Sequence, residues 1–390
     1  MIASLRQDFN ARWTPAKYAR LLAHLEARFG EGAQFRHCET PCFFPAELID
    51  RMSRYGAEMV EQLLGNPRYL ADSERAVPDQ WRVPNEAAAP LFVQADFGLD
   101  ANLDPKLVEI QGFPSLYFYQ PALADAYRAA YDLDPDLAAS PGGISTAAYY
   151  RLMREAIVGV HDPENVILTE VDPAAQKTRH DFLATEREIG VRAVDIRSLL
   201  KRGNRLFYLR DGVETPIHRI YNRAIVDEME RRAIQLPFDF RDDLNVEWAG
   251  HPNWFFRLSK FSLPYLNHPA APGAQFLDQA GTVEHPERYV LKPLYSFAGA
   301  GVIVGPTAEQ IAAVPGERRS GYLLQERVDF RPIVDTPGGT NKVEVRIMYI
   351  WADGLKAVNT IIRAGRGAQM GVDFNKGMNW VGASAGFIQA

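Results

Sequence analysis

Lys292 closes the apolar run Tyr289-Val290-Leu291, and a second β-branched run, Val302-Ile303-Val304, follows after a loop that contains Ser296, Gly299 and Gly301. Glycine lets backbone N–H groups approach an anion closely, and a lysine at the strand end adds a point charge, a combination that suits a triphosphate. An ordinary hairpin with a glycine turn and an exposed lysine carries the same pattern. A dinucleotide-binding loop is excluded because it opens a helix, whereas this one continues as a strand. A Walker A loop requires Gly-Lys-Ser or Gly-Lys-Thr, which the chain lacks. Asp96-Phe97-Gly98 imitates the metal-binding tripeptide of protein kinases, but it stands far before the glycine loop rather than after it.

Hard ligands gather in a second place. In Leu107-Val108-Glu109-Ile110-Gln111, strand alternation points Glu109 and Gln111 to one face, and a short connection sets Asp96 on the neighbouring strand. Two carboxylates and an amide oxygen suit magnesium, which completes its octahedron with water and nucleotide phosphates. Solvated acids on an edge strand are the plain alternative. In Val343-Glu344-Val345-Arg346, alternation likewise puts Glu344 and Arg346 on one face, where they either meet phosphates or form a surface ion pair of little worth. Residues 375–379 and the small-residue run 382–386 suit close backbone approach, or a solvated loop. The aromatic sets 254–256 and 117–119 read as core.

The elements that position these residues alternate. Thr14-Pro15 starts an amphipathic helix that ends at Gly30, and a second helix runs over 45–64, followed by a Pro/Ala-rich connector over 77–90. Strands are expected at 91–97 and 106–111, and helices at 122–131 and 145–160. An α/β pattern follows: strand 164–169, helix 175–190, strand 191–196, then a hairpin of 206–210 with 217–221. Strands at 289–293, 302–304, 322–328, 343–351 and 356–363 make a mixed sheet region. With 390 residues, 47% apolar and 24% charged, the chain is long enough for several packed lobes. Its net charge of -6, with scattered Lys and Arg, argues against nucleic acid as a partner. No apolar run approaches the roughly 20 residues that cross a bilayer, and the first residues lack a signal-peptide core, so a cytoplasmic protein without a membrane partner is expected. Cys38 and Cys42, beside His37, read as two reduced thiols, since a structural zinc needs four ligands.

Taken together, these segments resemble the circularly permuted ATP-grasp ligases of the glutathionylspermidine synthetase family, over most of residues 91–390. Val108-Glu109-Ile110-Gln111-Gly112-Phe113-Pro114-Ser115-Leu116 is similar to the family's Glu-x-Asn strand and its continuation, with Asp96 as the preceding aspartate. The resemblance implies Lys260 and Lys292 as the two ATP lysines and Gln325-Glu326-Arg327-Val328 as the hinge strand that meets adenine and ribose. Tyr221-Asn222-Arg223 resembles the Tyr-x-Arg that follows a strand in permuted relatives. Gln94 stands where the family carries an arginine, and Gln111 where it carries an asparagine.

The implied fold class is α/β (α+β): a circularly permuted ATP-grasp fold with an N-terminal helical segment at 1–85, metal-ligand strands and a substrate lobe at 86–250, and nucleotide-binding lobes at 251–390. The implied activity is an ATP- and Mg2+-dependent ligase that joins a small-molecule carboxylate to an amine through an acylphosphate. Metal would be held by Asp96, Glu109 and Gln111. ATP would be bound by Lys260, Lys292, Ser296, Gly299, Gly301, Gln325, Glu326 and Val328, with the 296–301 loop closing over the intermediate. Arg223 and Arg346 would grip the acylphosphate or carboxylate. A small-molecule kinase with the same clamp, or a nucleotide-binding protein without turnover, would share these features.

Overall fold

A computed structural model of the chain describes residues 1–32, 34–296, 299–367, 370, 375 and 377–389. Phe297 and Ala298 of the glycine loop and Lys376 of the 375–379 segment lie outside the described residues. Six strands make the central antiparallel sheet: Gly382–Ser384, Leu355–Gly365, Gly339–Trp351, Phe92–Leu99 and Pro105–Gln111 in that order, with Val334–Thr336 paired to the start of Gly339–Trp351. Alternation divides its two faces. Val93, Ala95, Phe97, Val345, Ile347 and Tyr349 form one apolar face, covered by helix Ala46–Leu64 through Ile49, Met52, Met59 and Val60. The other face is apolar only at one end, where Phe92, Met348, Ile350 and Ile361 meet Tyr117 and Tyr149. At its other end stand Gln94, Asp96, Glu344 and Arg346, all buried.

A second sheet is parallel, ordered Glu247–Trp248, Arg219–Asn222, Val166–Glu170, Arg192–Asp195. Helix Arg179–Ile189 packs Phe182, Ala184 and Ile189 on the face that carries Val166, Leu168 and Tyr221. A third, antiparallel sheet orders Ala274–Phe276, Tyr322–Glu326, Tyr289–Pro293 and Ile303–Val304 over a core of Leu277, Leu291, Ile311 and Leu324. The whole is a mixed α+β architecture.

Several elements differ from the sequence expectation. The hairpin partner of Arg205–Arg210 is Val213–Ile217, because the two-residue turn Asp211-Gly212, both at positive φ, starts the return strand at once. Arg219–Asn222 is thereby free to join the parallel sheet. Helix Pro67–Arg75 follows directly on the second helix: Gly65 closes one, and Asn66, through its Oδ1, accepts the first N–H groups of the next. Helix Ala3–Arg12 has no side-chain cap and buries only Arg6 and Phe9, so it left no periodic signal. Strand Cys42–Pro45 pairs in parallel with Gly386–Gln389. Cys38 and Cys42 are free and buried, and burial pushes both thiols up, Cys42 to about 11, so neither is a reactive thiolate at neutral pH.

Candidate functional site

The antiparallel register sets Asp96 opposite both Glu109 and Arg346, and Gln94 opposite Gln111. Between Asp96 and Phe97 the register with the Glu109 strand slips, which leaves Val108 as an extra residue. A bulge frees one residue from the ladder and re-aims its neighbours. Here it places Leu107 and Ile110 in the apolar core while Glu109 and Gln111 stay on the polar side. It also leaves the Val108 carbonyl to accept a hydrogen bond from Lys292 Nζ at 2.8 Å.

Lys292 reaches that carbonyl from the third sheet, where Lys292 and Gln325 share a face, and it also donates to Gln325 Oε1 at 2.6 Å. Gln325 Nε2 in turn donates to Leu107 O at 3.3 Å, so the third sheet is fastened to the bulge by two side chains. Lys260 starts a short 3-10 helix; its Nζ donates to Ser296 O at 2.7 Å and lies 3.7 Å from Glu109 Oε2. Gly112 N donates to Leu258 O at 2.6 Å, and a Cβ at Gly112 would stand 2.7 Å from Trp254 O; only glycine lets the Lys260 segment pass so close to the end of the Glu109 strand. Gly299 and Gly301 both adopt positive φ.

Lys292, Lys260, Glu109, Ser296, Gln325 and the Arg346 cluster therefore meet, although they come from distant parts of the chain. Glu326 and Val328 lie at the exit of the Tyr322–Glu326 strand, where Glu326 is exposed and its Oε2 accepts from Gly273 N at 3.0 Å. Arg223 lies apart, on the parallel sheet.

Two expected roles change. Asp96 was expected to ligate magnesium, but both its oxygens are taken by the Arg346 fork, with Nη2 at 2.6 Å from Oδ2, and Arg363 Nη2 stands 3.5 Å from the same oxygen. Burial alone would raise the Asp96 pKa; Arg346 and Arg363 outweigh it and hold the carboxyl below its ordinary range. Among the described residues no three His, Cys, Asp or Glu side chains are grouped to hold a metal. Both Asp96 oxygens thus face guanidinium groups, whereas Glu109 has only longer contacts, 3.5 Å to Arg346 and 3.7 Å to Lys260. Arg346 was expected to grip substrate, yet its nitrogens are committed to Asp96, to Gln94 Oε1 at 2.9 Å and to Glu109. Gln94 Oε1 also accepts from Gln111 Nε2 at 2.8 Å, and Gln94 Nε2 donates to Ser115 O.

Sequence reading missed Arg363. It pairs with buried Glu344 and neighbours Asp96, and its side chain keeps 23% exposure. Its signal was the lone charge at the end of the apolar run Ile361-Ile362. Burial raises Glu344 to about 7, against the pull of Arg363.

Burial lowers Lys292 to about 8, despite Glu109 nearby. The unfolded chain keeps this proton up to the ordinary lysine value of 10.5, so between about 8 and 10.5 the unfolded state binds more protons and stability rises with pH. Anion binding runs the other way, since it needs the charged amine. Nucleotide affinity measured by titration calorimetry should hold below pH 8 and fall as pH rises through it, whereas Lys292→Arg, which keeps its charge, should show no such fall.

No family model matches the sequence, and no curated protein matches it. Among solved structures, the fold is similar to that of a glutathione synthetase-like effector from Globodera pallida in its apo form, with a TM-score of 0.58 and 11% identity over 95% of this chain and 97% of that one. The fold is thus glutathione synthetase-like, a coarser statement than the glutathionylspermidine synthetase resemblance read from the sequence.

Proposed function

We propose that the chain is an ATP-dependent carboxylate–amine ligase with a circularly permuted ATP-grasp arrangement. The observation that carries this reading is the convergence of Lys292 from the third sheet, Glu109 from the central sheet and Lys260 from its 3-10 helix, held in one place by the Val108 bulge and the Gly112 contact. Two ammonium groups beside a carboxylate that is mostly buried match a triphosphate with its counter-ion. The glutathione synthetase-like fold supports the same reaction class.

Lys292 and Lys260 hold and neutralise phosphate oxygens, while Glu109 and Gln111 Oε1 are the groups that would hold magnesium, which when bound offsets charge on the phosphates. Arg363 meets the transferred group, and the Asp96–Arg346 pair holds the two strands together behind it. A substrate carboxylate oxygen bonds the γ-phosphorus as the β–γ bridging bond breaks and ADP leaves. The amine nitrogen then attacks the acyl carbon, inorganic phosphate departs, and the amine gives up a proton. Arg223 holds the non-reacting carboxylate of the acid, and the glycine loop excludes water.

ADP release over panels of acids and amines tests this. The ligase reading expects release to require one acid and one amine together; release with an acid alone, yielding a stable phosphate ester or anhydride, indicates a kinase. Glu109→Gln should lower kcat roughly 100-fold or more, comparable to loss of one transition-state electrostatic contact, with a melting temperature near wild type because Glu109 is only loosely held. An unchanged rate and magnesium dependence in that variant would remove Glu109 from the site.

A further inference from the structure

A cavity of about 300 Å³ lies along the edge strand Glu247–Trp248 of the parallel sheet, between that strand and the connector at 83–87. None of the residues placed at the nucleotide site lines it. Its volume stands at the lower end of the range for small-molecule sites, room for a single ring with a short tail. Val83, Leu244, Val246 and Trp248 make its apolar walls, because each packs one side on the core that holds Ile220, Phe238 and Phe240. Trp248 stacks on Phe240 with 5.9 Å between ring centroids, which fixes the plane of the indole. Asn85 donates from Nδ2 to Asp243 Oδ1 at 2.9 Å and so ties the connector to the loop before the edge strand.

The charges on these walls carry one sign. Asp242 and Glu247 both line the cavity, and each is paired through one oxygen only. Asp242 Oδ2 accepts from Lys201 Nζ at 2.6 Å and from Asp239 N at 2.9 Å; Glu247 Oε2 accepts from Arg219 Nη1 at 2.9 Å and lies 3.2 Å from His161 Nε2. Their other oxygens, Asp242 Oδ1 and Glu247 Oε1, accept no hydrogen bond among the described residues. His251, the remaining titratable group on the wall, adds no positive charge. Its Nδ1 accepts from Asn253 N at 3.4 Å, which leaves Nε2 to donate to Pro84 O at 3.1 Å as the neutral tautomer, and burial lowers its pKa. An apolar hollow with an indole on its wall and carboxylate oxygens to spare is matched by a cation that has an apolar body.

We propose that this cavity binds a small organic cation, an amine or quaternary ammonium with an aromatic or short aliphatic body, at a place separate from the nucleotide site. The body lies against Val83, Leu244 and the Trp248 ring, and the positive charge meets the indole together with the free oxygens of Asp242 and Glu247. Binding here is independent of the ligase reading, since Lys260, Lys292, Glu109 and Arg363 take no part in it. His251 also borders the cleft lined by Gly112 and Phe113, so an occupant lies one side chain away from the segment that follows the Glu109 strand.

Ligand-observed NMR titration of the full chain tests it, with 2-phenylethylamine, phenyltrimethylammonium, the neutral 2-phenylethanol and the anionic 3-phenylpropionate as probes. Wild type should bind the two cations roughly tenfold more tightly than the alcohol, the size of a cation–π contact in a partly dry site, and the anion more weakly still. The double variant Asp242→Asn with Glu247→Gln should bind amine and alcohol alike, and Trp248→Leu should lose both, each read beside its melting curve. Trp248→Phe, which keeps a ring on Phe240, replaces the leucine variant if that one melts early, and should show a smaller preference for the cations. No binding by either cation, an alcohol bound as tightly as the amine by wild type, or a preference that the double variant or the Trp248 variants leave unchanged overturns the proposal. ATP binding read on the wild-type sample keeps the two readings apart: no response to ATP with the cation preference intact fails the ligase and keeps the cavity.

Discussion

Arg346→Met is expected to destabilise the protein by about 3 kcal/mol, because it takes the forked partner from the buried Asp96 carboxylate and leaves it only the longer contact to Arg363. Arg346 and Asp96 sit opposite each other on the two middle strands of the central sheet, with side chains 9% and 2% exposed. Water cannot take over the lost contacts at that depth. The double variant Asp96→Leu with Arg346→Met should recover most of the loss, since an apolar pair of similar volume costs no charge burial. Urea denaturation of the two variants measures both quantities. A single-variant loss below about 1 kcal/mol would mean that the pair is hydrated like a surface bridge.

Lys292→Met is expected to weaken nucleotide binding roughly 100-fold, the worth of a charged contact with phosphate in a dry site, and to abolish turnover. The fold should survive this change. Lys292 is only 6% exposed. Burial already disfavours its charge, so removing the ammonium relieves a desolvation cost that offsets the lost bonds to Val108 O and Gln325. Calorimetry with ATP and a thermal melt of the same variant separate affinity from stability. Unchanged affinity would remove Lys292 from the phosphate site.

Parts of this site were legible because they depend on local rules. Alternation put Glu109 with Gln111 and Glu344 with Arg346, and the pair of glycines around Ala300 marked a loop with left-handed residues. What alternation could not say is which strand lies beside which. Asp96 looked like a metal ligand because nothing in its own neighbourhood showed that Arg346 would be its cross-strand partner. The Val108 bulge was equally hidden, since a slipped register depends on both strands at once.

The most direct measurement is a crystal structure of the protein soaked with ATP and magnesium. The account predicts a triphosphate with Lys292 and Lys260 Nζ both in contact with its oxygens, Glu109 toward the bound magnesium, and Asp96 still paired with Arg346. A triphosphate bound elsewhere, or Glu109 turned away from a phosphate held by the two lysines, would contradict it.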